Sequence, residues 1–77
     1  MNQTATVELD LSGLTCPMPL LKTKQALNRL QSGAIVKVVA TDPGSQRDFQ
    51  VFAEQSGNRL LSAEKHDECF VYVLMKK

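Results

Sequence analysis

The sequence predicts an α/β two-layer sandwich of element order βαβαββ, with two helices on one face of a four-stranded mixed sheet. Three observations lead there. Apolar residues recur at every second position in Thr6–Leu11, and β-branched residues crowd positions 34–40, as in strands. Each of those stretches is followed by a segment whose apolar residues recur at intervals of three and four, which is helical periodicity. The chain then closes with two strand-like stretches separated by a short polar turn. Right-handed crossovers put both helices on the same side of a single sheet when that sheet grows in one direction. The closing hairpin makes the last strand run against the other three.

In the first strand Val7, Leu9 and Leu11 point one way and Thr6, Glu8 and Asp10 the other, so it is half buried. Residues 1–5, ahead of it, are expected to be disordered. Ser12-Gly13 breaks the strand. Over 17–31, Leu20, Thr23, Leu27 and Leu30, with Ala26 beside them, make one stripe while Lys22, Gln25 and Arg29 face water. Ser32-Gly33 ends this helix, with Gly33 as its left-handed cap. Residues 34–40 are apolar except for Lys37 and predict a central strand largely covered on both faces. In Thr41-Asp42-Pro43-Gly44, Asp42 suits an N-cap and Pro43 the first helical position. The second helix runs to about Ser56 with Ser45, Phe49, Phe52, Ala53 and Ser56 on one face, and Gly57-Asn58 closes it. Residues 59–65 read as a third strand, 66–68 as a turn and 69–76 as a fourth strand. That last strand is apolar on both sides, Phe70, Tyr72 and Leu74 against Val71, Val73 and Met75. One set must lie on the face without helices, which reads either as a docking or dimer surface or as ordinary scattered surface apolars.

Seventy-seven residues make one domain, 1–77. At this size folding buries only about 60% of the surface the unfolded chain exposes. A net charge of +1, with acids and bases interspersed, supplies neither a basic stripe for nucleic acid nor a polybasic membrane patch. The first residues are polar and no apolar run reaches membrane-spanning length, so a cytoplasmic protein is expected. The two cysteines, Cys16 and Cys69, lack the C-x-x-C spacing of zinc sites or thioredoxin-like redox motifs, and the glycines form no phosphate-binding pattern.

The chemistry-bearing residues gather at one edge. Each loop that leads into a helix leaves from the carboxyl edge of the parallel strands, where open α/β sheets bind ligands. Cys16 lies in the first such loop and Asp42 in the second; the turn at His66 and the start of the last strand at Cys69 share the same edge. Gly13-Leu14-Thr15-Cys16-Pro17-Met18-Pro19 sets Cys16 at or beside a helix N-cap, because two prolines so close are tolerated only in a first turn. Unpaired amides and the positive end of the macrodipole there favour a thiolate, so Cys16 is expected to be exposed and of lowered pKa. A structural cap is the competing reading, yet serine, threonine and aspartate cap better than cysteine. A cysteine hydrolase would need a base beside the nucleophile, and His66, the one histidine, reads more simply as a solvated turn residue. Cys69 alternates with Val71 and Val73 and reads as a buried small hydrophobe, or as a resolving cysteine. Asp42 reads as a helix cap, or as a carboxylate that would raise the Cys16 pKa if close. Lys22, Lys24 and Arg29 form a basic helix face, either solvated or steering an acidic partner.

With these residues the chain resembles the TusA/SirA family of small sulfur-carrier proteins. The likeness rests on Leu11-x-Gly13-Leu14-x-Cys16-Pro17-x-Pro19, on the apolar and basic helix after it, and on Asp42-Pro43 following a Val-rich strand; it extends from Thr6 onward. It implies a sandwich like the C-terminal domain of translation initiation factor three. It implies that Cys16 carries sulfane sulfur as a persulfide, received from a cysteine desulfurase or a rhodanese-like donor. From there the sulfur passes to an acceptor protein serving tRNA thiolation, cofactor synthesis or sulfur oxidation. No cofactor, metal or direct nucleic-acid contact is implied, and Cys69 lies outside the motif. The chain would act as a shuttle rather than a free-standing enzyme. A different class of function is a redox-responsive interaction module using Cys16 and Cys69.

Overall fold

Six elements follow the expected order in the computed structural model, which describes residues 6–77: β1 (Thr6–Leu11), α1 (Met18–Asn28), β2 (Ile35–Ala40), α2 (Ser45–Ser56), β3 (Arg59–His66) and β4 (Cys69–Met75). The expectation for residues 1–5 lies outside the described residues. The strands form one four-stranded sheet in the order β1-β2-β4-β3. β1 and β2 are parallel, while β4 runs antiparallel to both β2 and β3. The last strand therefore threads between the second and the third. β4 is the most apolar strand, and a central position pairs both its edges. β3, with its charged residues, takes an outer position, where charge guards an open edge. A bulge between Leu60 and Ser62 breaks the β3 register and turns Leu61 outward, 47% exposed.

Both helices pack on one side and on each other. Beneath them Val36, Val38 and Ala40 of β2 and Phe70, Tyr72 and Leu74 of β4 join Leu11, Leu27 and Phe49 in the core. The Phe49 and Tyr72 rings stack with centroids 4.5 Å apart and planes 9° apart. Tyr72 is fully buried, and its hydroxyl shares a hydrogen bond of 2.6 Å with the hydroxyl of Ser45, also buried. That contact joins the middle of the sheet to the first residue of α2. The other buried polar side chain, Thr23, donates to the Pro19 carbonyl at 2.9 Å, which lets a hydroxyl sit within the helical stripe.

The helices are shorter than their sequence patterns predict. Pro17 is the N-cap of α1 rather than part of its first turn, and the helix stops at Asn28, with Arg29 as C-cap. Gly33 has φ +89°, but it belongs to a later turn closed by Ala34 N–H donating to the Gln31 carbonyl. The reason lies in the sheet. Gly33 N–H donates to Lys76 O and Lys76 N–H to Ala34 O, so the β2–β4 ladder claims these residues before the helix can reach them. α2 begins at Ser45, with Gly44 as N-cap and no capping side chain. Asp42 is thus not the cap. Its carbonyl accepts from Ser45 N–H in the turn that precedes the helix, which leaves the carboxylate too far back to cap. At the other end Gly57 closes the helix, as expected, and does so as a left-handed cap with φ +84°.

The face without helices corrects one expectation for β2. Ile35 and Val39 are only half buried and Lys37 is exposed, beside half-buried Val71, Val73 and Met75 of β4. Covering by a second layer is limited to the Val36, Val38 and Ala40 side.

One further bond ties the two helix-entry loops together. Gly13 N–H donates to Thr41 Oγ1 at 2.8 Å across 28 residues of sequence. Two outcomes follow from these contacts. Tyr72→Phe leaves the Ser45 hydroxyl buried without a partner and costs about 1–3 kcal/mol, read as a lower urea midpoint at unchanged slope. Adding Ser45→Ala recovers part of that loss; an unchanged midpoint in the single variant contradicts the role given to this pair. Thr41→Val quickens hydrogen exchange at the Gly13 amide and leaves the Val38 amide protected; equal protection of Gly13 in both proteins contradicts the loop tie.

Candidate functional site

The loop after β1 is built from short-range bonds. Ser12 N–H donates to Asp10 Oδ1 at 3.1 Å. The hydroxyl and then the amide of Ser12 hold the Asp10 carboxyl below the usual carboxylate range. Gly13 adopts φ +83°, a conformation in which a side chain would be strained, and this reverses the chain at the end of β1. Leu14 N–H returns to Leu11 O at 3.3 Å, and Met18 N–H reaches Thr15 O at 2.8 Å. The Cys16–Pro17 peptide is cis. Cys16 lies one residue ahead of the N-cap of α1, exposed, with a free thiol. The expected position and exposure are therefore both present.

The expected ionisation is not. The Cys16 thiol is pushed up from its ordinary value, first by the Asp48 carboxyl, then by the loss of water around it, and then by the charges of Asp48 and Asp42. The amides expected to oppose this are reduced in the first turn, where the Leu20 N–H is left. Pro17 and Pro19 have no N–H. Met18 N–H is engaged by Thr15 O, and Leu21 N–H by Pro17 O at 3.0 Å. The prolines that place the cysteine at a helix start also remove two of the donors that would hold a thiolate.

Asp42 and Asp48 come from the second helix-entry loop and the first turn of α2. Asp42 carries a buried carboxylate oxygen, Oδ2, that has no hydrogen-bond partner. Asp48 is half buried, and its amide donates to Gly44 O at 3.1 Å. Beneath them lies the Ser45–Tyr72 bond. Burial pushes the Tyr72 phenol up, the Ser45 bond draws it back, and the charges of Asp42 and Asp48 raise it further. The carboxyl edge near Cys16 is thus acidic.

Register aligns Leu11, Ala40, Phe70 and Lys65, so the turn between His66 and Cys69 shares the carboxyl edge, as expected. Register pairs His66 with Cys69, so both lie on the helix-free face at the hairpin end. His66 Nε2 meets Glu64 Oε1 at 2.9 Å, both side chains well exposed, and neither His66 nor Glu64 is among the groups acting on the Cys16 sulfur. Cys69 is half buried rather than enclosed, and its Sγ–H donates to the His66 carbonyl at 3.3 Å. On α1, Lys22, Lys24 and Arg29 are all exposed, with Lys24 Nζ 5.5 Å from the centre of the Phe52 ring. Among the described residues no cluster of three His, Cys, Asp or Glu side chains could hold a metal ion, and no helix is long and apolar enough to cross a membrane.

Sequence reasoning missed three parts of this edge: Asp48, the Ser45–Tyr72 bond and the Gly13–Thr41 tie. Asp48 carried a readable signal, being an acid in the first turn of the helix that starts beside the Cys16 loop. The other two join residues 27 and 28 apart in sequence, and nothing in the local pattern announces them.

Comparison with known proteins agrees with this geometry. The family described as sulfurtransferase TusA matches residues 7–77. The chain is similar to the sulfur carrier protein TusA of Allochromatium vinosum, 46% identical over 90% of this chain and 91% of that one. It is similar to the sulfur carrier protein TusA of Pseudomonas syringae pv. syringae, 37% identical over 99% of this chain and 90% of that one. Among solved structures, the SirA-like protein of Desulfitobacterium hafniense superposes with a TM-score of 0.78 at 27% identity, covering 90% of this chain and 95% of the other. With its two helices on a four-stranded mixed sheet and a match that spans 7–77, this chain belongs to the sulfurtransferase TusA family.

Proposed function

We propose that this protein is a sulfur carrier, cytoplasmic in setting, that holds sulfane sulfur as a persulfide on Cys16 and hands it to an acceptor protein. The observation that carries the reading is an exposed sulfur, on a loop tied in place by the Gly13–Thr41 bond, in a chain that matches the family from residue 7 to its end. Transfer between two cysteines requires the two sulfurs to touch, so an exposed cysteine at the rim of a small sheet suits the task. The donor is a cysteine desulfurase or a rhodanese-like protein, each presenting a cysteine persulfide. The acceptor offers a second cysteine.

Each transfer is a displacement at sulfur. The Cys16 thiolate bonds to the donor's terminal sulfur as the donor's own S–S bond breaks. A thiol of raised pKa offers less thiolate at neutral pH, but each thiolate is the stronger nucleophile. A persulfide is more acidic than the thiol it came from, so the loaded form is anionic under conditions where the empty form is not. The redox-module alternative, built on Cys16 and Cys69, is not favoured by the family match, and both thiols are free.

Incubation with a cysteine desulfurase and cysteine adds the mass of one sulfur atom to the intact protein. Cys16→Ser abolishes that gain and Cys69→Ser preserves it. Equal loading of the parent and Cys16→Ser contradicts the assignment of the carrier residue.

A further inference from the structure

We propose that the cleft where both helices end is a binding site for the phosphate group of a small phosphorylated molecule. It is separate from the sulfur site. Cys16 lies ahead of the start of α1, and this cleft lies at the far end of that helix, 11 residues or about 16 Å along its axis. The cleft has a volume of about 350 Å³. Its walls come from Lys24 and Asn28 of α1, from Phe52 and Ser56 of α2, and from Lys76 and Lys77 after β4.

The hydrogen bonds already made in the wall point to an anion, because they use up its acceptors. Ser56 Oγ accepts from both Asn58 N–H and Asn58 Nδ2, each at 3.1 Å, which fills its two lone pairs. Asn58 Oδ1 accepts from Lys77 N–H at 2.9 Å, and the Leu27 carbonyl accepts from Lys76 Nζ at 2.7 Å. Donors are what remain: the Ser56 hydroxyl hydrogen, the rest of the Lys76 ammonium, and the whole ammonium groups of Lys24 and Lys77. No Asp or Glu side chain lines the cleft, and among the described residues none pairs with its lysines.

The charge balance favours the same ligand. Each helix C-terminus brings about half a negative charge, and the carboxylate at the end of the chain brings one more. Three ammonium groups outweigh them. Lys76 answers α1 through the Leu27 carbonyl, so Lys24 and Lys77 are not needed as caps. Lys24 Nζ lies 5.5 Å from the centre of the half-buried Phe52 ring, which gives the cleft an apolar wall beside its charge. A phosphate ester matches both parts: its oxyanion faces Lys24, Lys77 and Ser56, and its organic body lies against Phe52. A nucleic-acid strand would need a basic stripe, which a chain of net charge +1 with interspersed acids and bases does not supply.

The test is a titration of the protein with pyrophosphate at constant ionic strength, read residue by residue from NMR shifts. Binding in the cleft moves the Asn58 side-chain amide and the Lys77 backbone amide along a saturating curve, and leaves the Gly13 amide of the sulfur loop in place. Lys24→Gln and Lys77→Gln each weaken binding several-fold, and the double variant loses it. Lys76 is kept throughout, because it also holds the end of α1. Lys22→Gln, at an exposed lysine of the same helix outside the cleft, leaves the affinity unchanged. Shifts that grow without saturating overturn the proposal, and so does an equal loss of affinity in Lys22→Gln, since either is general attraction to surface lysines. A short single-stranded RNA that moves Asn58 where pyrophosphate does not overturns it as well. The titration is run with no sulfur on Cys16, so this site stands or falls apart from the carrier reading.

Discussion

The hydroxyls of Tyr72 and Ser45 meet at 2.6 Å in the core, and the position of the acidic edge depends on that bond. Tyr72 lies on the central strand β4 and stacks on Phe49 with ring centroids 4.5 Å apart. Stacking sets how α2 lies over the sheet, and the hydroxyl pair sets where α2 begins. With Ser45 held, Asp48 is one turn along and Asp42 just before. Two hydroxyls that satisfy each other can be buried at little net cost, whereas either one alone could not. Two-sided dependence of this kind makes the contact both a stabilising bond and a ruler for the site.

The site that results combines an accessible sulfur with an environment that keeps it protonated. Accessibility comes from the loop, turned by Gly13 and tied to Thr41. Protonation comes from Asp48 and Asp42, with the prolines on either side of Met18 removing amides that would otherwise stabilise negative charge. A shuttle gains from this arrangement. In the proposed role the empty form meets many electrophiles and should react with few, while a loaded form would carry a more acidic terminal sulfur one bond further out. Carboxylates that raise the pKa of the inner sulfur act more weakly on an atom further away.

Much of the architecture was legible because it is written in local periodicity. The alternation at Val7, Leu9 and Leu11, the stripe through Thr23 and Leu27, and the glycine at 57 each carry their meaning within a few residues. Helix ends were less legible, since the sheet ladder at Gly33 and Ala34 competes with the helix for backbone bonds, and the winner is decided by Lys76, far along the chain. Asp42 misled for a related reason: its residue type and the following proline suit a cap, but a turn intervenes and Gly44 takes that place. The position and exposure of Cys16 followed from Pro17 and Pro19. The raised pKa did not, because one feature was counted once where it acts twice: prolines mark a helix start and remove two of its donors. The acids that complete the effect reach the thiol only through the fold.

The most direct test of the account is the crystal structure of the protein after sulfur loading. The account predicts one extra sulfur atom bonded to Cys16 Sγ, projecting into solvent, with Cys69 unchanged. Extra density on Cys69, or a loaded sulfur enclosed by side chains, would contradict it.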